Sequence, residues 1–239
     1  MNRGKVMAPG IVKAIQSLDF EMKLAADSSD RDRRLKLVDW ITHPDNPLFK
    51  RVIVNRVWHY HFGSGIVDTP SDFGFNGSRP THPELLDWLS QQLVAHRYQL
   101  KAIHRLIASS TTYRQAATFN RQAADIDADN RLLWRKSPQR LEAEVVRDTM
   151  LSVAGVLNLK RGGPGFEDVK IVPNNGTTYY EPFDSDDVQL NRRTVYRFSP
   201  RGGRMALLDV FDCPDPSAAA PRRSVTTTPL QALSLLNNA

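Results

Sequence analysis

Apolar residues begin to recur at helical intervals from Asp30 onward. Leu35, Val38 and Ile41, with Trp40 beside them, predict a first helix. His43-Pro44-Asp45-Asn46-Pro47 ends it and starts a second, with Pro47 in the first turn, where a missing N–H costs nothing. Leu48, Val52, Ile53, Val57 and Tyr60 make up the expected buried stripe, and Gly63 is the expected C-terminal stop. Thr81-His82-Pro83-Glu84 predicts a capping box, in which Thr81 and Glu84 satisfy each other's backbone donors. A third helix follows with Leu85, Leu86, Trp88, Leu89 and Leu93 inward, and Leu100, Ile103, Leu106 and Ile107 continue as a fourth. Asp125 to Arg131 is polar and reads as a connection. Ser137-Pro138 opens a long helix with Leu141, Val145, Thr149, Val153 and Val156 on one face. Trp40, Trp58, Leu85, Trp88, Leu89, Ile103, Val145 and Val153 are expected to be buried in one helical layer.

The pattern changes after Leu157. Gly162-Gly163-Pro164-Gly165 and the run to Val188 read as long loops with short strands. Thr194 to Phe198 alternates and predicts a strand, while Met205 to Phe211 is an apolar run of either kind. Thr228-Pro229 caps a final helix whose Leu230, Leu233 and Leu236 keep helical spacing until Ala239, as if the element were cut there. The expected fold is mainly α: a helical layer of about five helices with an irregular C-terminal part containing short β-strands. Residues 1–30 form a peripheral segment, 31–157 the helical core, and 158–239 a loop-rich part packed on the same domain.

Composition narrows the function classes. The chain has 239 residues and a formal charge of +6, with 41% hydrophobic and 24% charged residues, as in an ordinary globular domain. No apolar run approaches the roughly 18 residues of a membrane span. Met1 to Gly10 hold no uninterrupted apolar run of the signal-peptide kind. The single Cys213 excludes an internal disulfide and a Cys-rich metal or haem site, so no cofactor is expected in this chain. The basic surplus is dispersed among acids, as where Arg31, Arg33 and Arg34 surround Asp32, and no nucleic-acid motif accompanies it. Nucleic acid is therefore a weak partner class.

Two polar groups carry the candidate chemistry. Arg140, Glu144, Arg147 and Asp148 share one helical face, a spacing that suits acid/base work and equally an ion-paired surface. The second group lies around the Gly63–Pro83 loop, which exceeds the usual connection length. Its apolar anchors Phe62, Ile66, Val67, Phe73 and Phe75 predict an ordered loop that presents Asp68, Asp72, Asn76 and Arg79 beside Asn55 and Arg56. Arg56 and Asp72 are expected foremost to pair and fix the loop; as the functional alternative, Asn55, Arg56, Asp68, Asp72, Arg79 and His82 form the candidate ligand cluster. His59 and His61 point about 200° apart on a helix, because each residue turns about 100°, so no metal site is expected there. Gly162-Gly163-Pro164-Gly165 lacks the ending of a phosphate loop. Cys213, between Asp212 and Pro214, is not set up as a reactive thiolate.

Several strings together resemble a known family. They are Asn55-Arg56-Val57-Trp58, Phe62-Gly63-x-Gly65-Ile66-Val67, Asp72-Phe73-Gly74, Pro80-Thr81-His82-Pro83-Glu84-Leu85-Leu86-Asp87 and Ser110-x-x-Tyr113-Arg114. Arg140-Leu141-x-Ala143-Glu144, Gly162-Gly163-Pro164 and Arg222-Arg223-x-x-Thr226-x-Thr228-Pro229-Leu230-Gln231-Ala232-Leu233 complete the set. The chain from about Arg31 to its end is similar to planctomycete-specific domain one, a family of unknown function. The resemblance implies a mainly helical, extracytoplasmic module of a larger exported protein, whose parents often carry a c-type cytochrome domain. No Cys-x-x-Cys-His is present, so any haem would belong to another domain. The resemblance supplies no reaction. The favoured reading is a binding or assembly module that contacts other domains of its parent and a polysaccharide or protein ligand. An uncharacterised enzyme acting on complex carbohydrate is the alternative, and a nucleic-acid binder the second.

Overall fold

Proline and glycine set the ends of the principal helix, α2 (Pro47–Phe62): Pro47 starts it, and Gly63, left-handed at φ 87°, stops it. Asn46 caps it with Oδ1 accepting from Leu48 N–H, while its Nδ2 donates to the Trp40 carbonyl at the end of α1 (Asp30–Ile41). The computed structural model describes residues 9–11, 15, 18–183 and 185–237. Among them it holds nine helices and one two-stranded sheet, so the chain is mainly α with a short-strand C-terminal part. Much of the expected peripheral segment 1–30 lies outside the described residues.

The chain forms two compact units, Met1–Pro138 and Gln139–Ala239. The first packs α2 with α3 (Pro83–Ala95) and α4 (Leu100–Ser109), followed by the short α5 (Thr111–Arg114) and α6 (Arg121–Ile126). Val54, Trp58 and Phe62 of α2 meet Leu86, Leu89 and Leu93 of α3, Ile103 and Ile107 of α4, and Ile66 and Val67 of the loop. The buried face of α2 is thus Val54, Asn55, Val57, Trp58 and Phe62, rotated from the expected stripe, and Tyr60 is exposed. α1 forms where predicted, capped by Ser29, but buries no residue: Leu35 and Val38 are exposed and Trp40 is only partly covered. Trp88 is exposed, whereas Trp58, Leu89 and Ile103 are buried as expected. The capping box is absent. The N-cap of α3 is His82 with no side-chain cap bond, because the Thr81 N–H is taken by the Ile66 carbonyl at 3.0 Å.

The second unit begins with α7 (Ala143–Val153), which the sequence groups with the helical layer of 31–157. It starts at Ala143 instead of Ser137, and its expected stripe faces outward, with Val145 exposed and Val153 84% exposed. The face it buries carries Ala143 and Arg147. β1 (Val169–Asn174) and β2 (Thr177–Pro182) pair antiparallel from Val169 opposite Pro182 to Asn174 opposite Thr177. Their turn, Asn175-Gly176, has φ of 47° and 79°, the positive pair that a two-residue hairpin favours. The strand expected at 194–198 is a 3-10 turn, Thr194–Tyr196, flanked by isolated bridges of Arg192 to Asn158 and Arg197 to Phe166. Met205–Phe211 resolves as helix α8 (Ala206–Val210), and α9 (Pro229–Asn237) closes the unit. Thr228 and Gln231 cap α9 reciprocally, Thr228 N–H donating to Gln231 Oε1 and Gln231 N–H to Thr228 Oγ1.

Candidate functional site

The Gly63–Pro83 loop is held at Gly65, Ile66 and Val67 by Asn55 and Arg131. Asn55, wholly buried on α2, accepts from Val67 N–H at 2.8 Å and donates to the Val67 carbonyl at 2.9 Å. Arg131 donates to the carbonyls of Gly65 at 3.1 Å and Ile66 at 3.4 Å, and its guanidinium lies 3.7 Å from Asp68. Further along, Thr69 Oγ1 donates to the Asp72 carbonyl and accepts from Ser78 N–H, closing the second half of the loop. Asp72 Oδ1 accepts from Gly74 N–H at 2.8 Å. Asn55 is therefore part of the scaffold, and Asp68 belongs to the Arg131 grip.

Arg56, the next residue on α2, points outward and is exposed. It does not pair with Asp72 among the described residues: its Nη2 reaches only Ser71 Oγ at 3.5 Å. Both residues instead line a cleft of about 810 Å³. Its other walls include Pro47, Leu48, Val52, Pro70 and Phe73, so a guanidinium and a carboxylate border a largely apolar trough. Arg79 is exposed, and His82 Nδ1 lies 2.9 Å from Thr81 Oγ1. The loop thus brings Arg56 and Asp72 to one cleft and gives Asn55 and Asp68 to internal bonding.

The second cluster divides in two. Arg147, buried under the Phe166 ring, donates to the carbonyls of Arg192 at 3.0 Å and Leu190 at 2.5 Å, and to Thr194 Oγ1 at 3.2 Å. Asp148 Oδ1 accepts from both the N–H and the hydroxyl of Thr194, each at 2.7 Å. These two residues tie α7 to the 190–194 segment. Glu144 turns to Arg223, which grips it with two bonds of 2.6 and 2.8 Å. Burial pushes the Glu144 carboxyl up, but the bonds and charge of Arg223 outweigh it and leave the group below its ordinary value. Arg140 lies 3.8 Å from Asp212, which accepts from the N–H and hydroxyl of Thr226. Gln231 donates to the Val210 carbonyl from within the same network. Cys213 is 3.8 Å from Glu144 Oε1, and burial, then that carboxylate, raises its thiol above the usual range.

Arg131 and Asp212 escape sequence reasoning because nothing local marks their partners. Arg223, Thr226 and Gln231 stand in the strings that carry the family resemblance, the one signal that marks them; Arg223 bonds Glu144, while Thr226 and Gln231 gather at Asp212. Gly162, Gly163 and Pro164 form a short loop around Arg192, whose guanidinium donates to the carbonyls of Pro164, Gly162 and Lys160. No group of three or more His, Cys, Asp or Glu among the described residues is placed to hold a metal ion. No curated protein and no solved structure matches the chain. One family does match, over residues 33–239, under the description "PSD1: Protein of unknown function (DUF1553)".

Proposed function

The chain belongs to that family, and from this premise we propose that it is a binding module of a larger extracytoplasmic protein, which takes a peptide segment into the Arg56–Asp72 cleft. The observation that carries the reading is the state of Arg56. Its guanidinium stands exposed at the rim of an apolar trough with one 3.5 Å contact among the described residues, whereas Asn55, Arg131, Arg147 and Glu144 have short internal bonds. An extended peptide offers carbonyl or carboxylate oxygens to Arg56, an N–H to Asp72, and apolar side chains to Leu48, Val52 and Phe73. A glycan would present hydroxyls to walls that are mostly hydrocarbon, so protein is the better fitting ligand. A cleft of this volume suits a ligand of several residues.

The internal bonding of the other polar groups favours binding over catalysis. Glu144 is tied in the Arg223 fork, Cys213 is kept protonated, and Asp148 is spent on Thr194. Much of the arginine surplus is likewise committed to the chain itself, through Arg51 to Asp87, Arg197 to Asp168 and Arg192 to backbone carbonyls, which weakens the nucleic-acid reading. The extracytoplasmic setting and the larger parent protein rest on the family resemblance. No helix among the described residues is long and apolar enough to cross a membrane.

Fluorescence polarisation against a library of labelled apolar peptides with free carboxylates, alongside oligosaccharides of similar size, tests the proposal. Arg56→Ala should weaken peptide binding about tenfold or more, the worth of one charge-assisted hydrogen bond of roughly 1.5–3 kcal/mol. Saturable binding of an oligosaccharide that depends on Arg56 would overturn the peptide assignment. Peptide binding that is indifferent to both Arg56→Ala and Asp72→Asn would overturn the cleft.

A further inference from the structure

Away from the cleft, the last turn of α2 and the middle of α4 meet through two histidines. His61 Nε2 and His104 Nδ1 lie 2.8 Å apart, and the ring centroids are 5.0 Å apart. Those two distances place both nitrogens close to the line joining the rings, which is the geometry of one imidazole donating to the other. Such a bond needs at least one ring with an unprotonated nitrogen facing its partner. His104 is exposed and His61 partly covered, so protons have access to the pair.

The surroundings are cationic. From the segment after α6 comes Lys136, whose ammonium donates to the His61 carbonyl and stands 4.7 Å from the Phe62 ring centre and 4.4 Å from that of Tyr113. From α5 comes the Tyr113 phenol, whose ring meets His61 edge to face at 5.3 Å. His59 precedes His61 by two residues on α2 itself. The two charges that act on His61, those of His104 and Lys136, are both positive.

We infer that the His61–His104 pair is a proton-operated latch between α2 and α4, closed while one ring is neutral and opened when both are charged. Opening sets two imidazolium ions and the Lys136 ammonium against one another at the end of α2. That end runs directly into Gly63 and the loop clamped by Asn55. Burial, then His104 and Lys136, lower the affinity of His61 for its proton, which agrees with a latch closed at neutral pH.

NMR titration of the imidazole nitrogens in the whole chain is the direct test. In the wild type, His61 should titrate below its ordinary value of 6.5. In His104→Ala, an exposed position, its titration should move up towards that value. Thermal unfolding supplies the second readout: the drop of about 2–4 °C expected between neutral and mildly acidic pH should at least halve in His104→Ala. Lys136→Met should also raise the His61 titration point. Two wild-type rings that titrate independently, with no coupling across the 2.8 Å contact, would overturn the latch without any variant. So would a His61 titration unchanged by His104→Ala.

Discussion

The side-chain amide of Asn55 bonds both backbone groups of Val67, accepting from its N–H at 2.8 Å and donating to its carbonyl at 2.9 Å. It stands in for the neighbouring strand that a loop residue lacks, twelve positions away in sequence. Val67 is itself buried, so no water can take over those two bonds. Asn55→Ala should therefore destabilise the first unit by about 1–3 kcal/mol for each group it strands. Asn55→Asp keeps the acceptor but sets a buried carboxylate against the Val67 carbonyl, and at neutral pH should cost at least as much as Asn55→Ala. Urea unfolding followed at Trp58 measures both.

Gly65 faces the same clamp. A Cβ built there would lie 2.7 and 2.9 Å from the two polar atoms of the Asn55 amide, and close upon the Val67 carbonyl. Gly65→Ala should push the amide off its partners and cost about as much as losing one buried hydrogen bond, on the order of 1–3 kcal/mol. Gly10→Ala, where a Cβ meets nothing within 4 Å among the described residues, is the matched control in the same unfolding assay and should change little.

Arg56 should behave oppositely to Asn55, its neighbour on α2. Among the described residues its only bond is a 3.5 Å contact at the surface, so Arg56→Ala should leave stability within about 0.5 kcal/mol. A marked loss of unfolding temperature would mean that Arg56 supports the loop, and the binding proposal would lose its main support.

Glu144 imposes an acid limit on the second unit. Its folded value lies below its ordinary 4.5, so protons bind the unfolded state more readily. The Arg223 pair therefore stabilises fully above that ordinary value, and its contribution is lost as pH falls through the lowered folded value. Arg223→Met should flatten this acid limb and destabilise at neutral pH. The pair is about a third exposed, so the neutral-pH loss should stay below the roughly 3–5 kcal/mol of a fully buried pair. Thermal melts from pH 3 to 7 in both chains would check the sign.

Cys213 should react slowly. Burial and the Glu144 carboxylate raise its thiol, so little thiolate forms at pH 8. Alkylation by iodoacetamide should lag behind free cysteine at that pH. It should quicken in Glu144→Gln if the carboxylate contributes as the 3.8 Å contact implies.

Sequence reasoning reached the helix ends better than the helix faces. Pro47, Gly63 and Thr228-Pro229 mark real boundaries because capping is local chemistry, satisfied within one turn. The capping box at Thr81 failed because a loop residue fifteen positions away, Ile66, had the stronger claim on its N–H. The α7 face failed for another reason. Periodicity weighs apolarity, so Val145 and Val153 outrank Arg147 as core, yet Arg147 has three directed bonds awaiting it at Leu190, Arg192 and Thr194. Nothing near Arg147 in sequence announces those acceptors. The loop cluster was readable as a neighbourhood but not in its pairings. Arg56 and Asp72 do share a cleft wall, while each bonds elsewhere.

The arginine-centred interior of the second unit has a calorimetric consequence. Exposing apolar surface on unfolding raises heat capacity by about 0.45 cal/K/mol per Å², while exposing polar surface lowers it by about 0.26. A unit that encloses Arg147, Arg192 and Thr194 around carbonyl oxygens, with Ala143, Phe166, Val169, Leu208 and Phe211 as its buried apolar side chains among the described residues, releases a large polar share when it opens. Its stability curve should be correspondingly shallow, falling slowly on warming and bending little towards the cold, whereas the leucine-rich helices of the first unit follow a steeper dome.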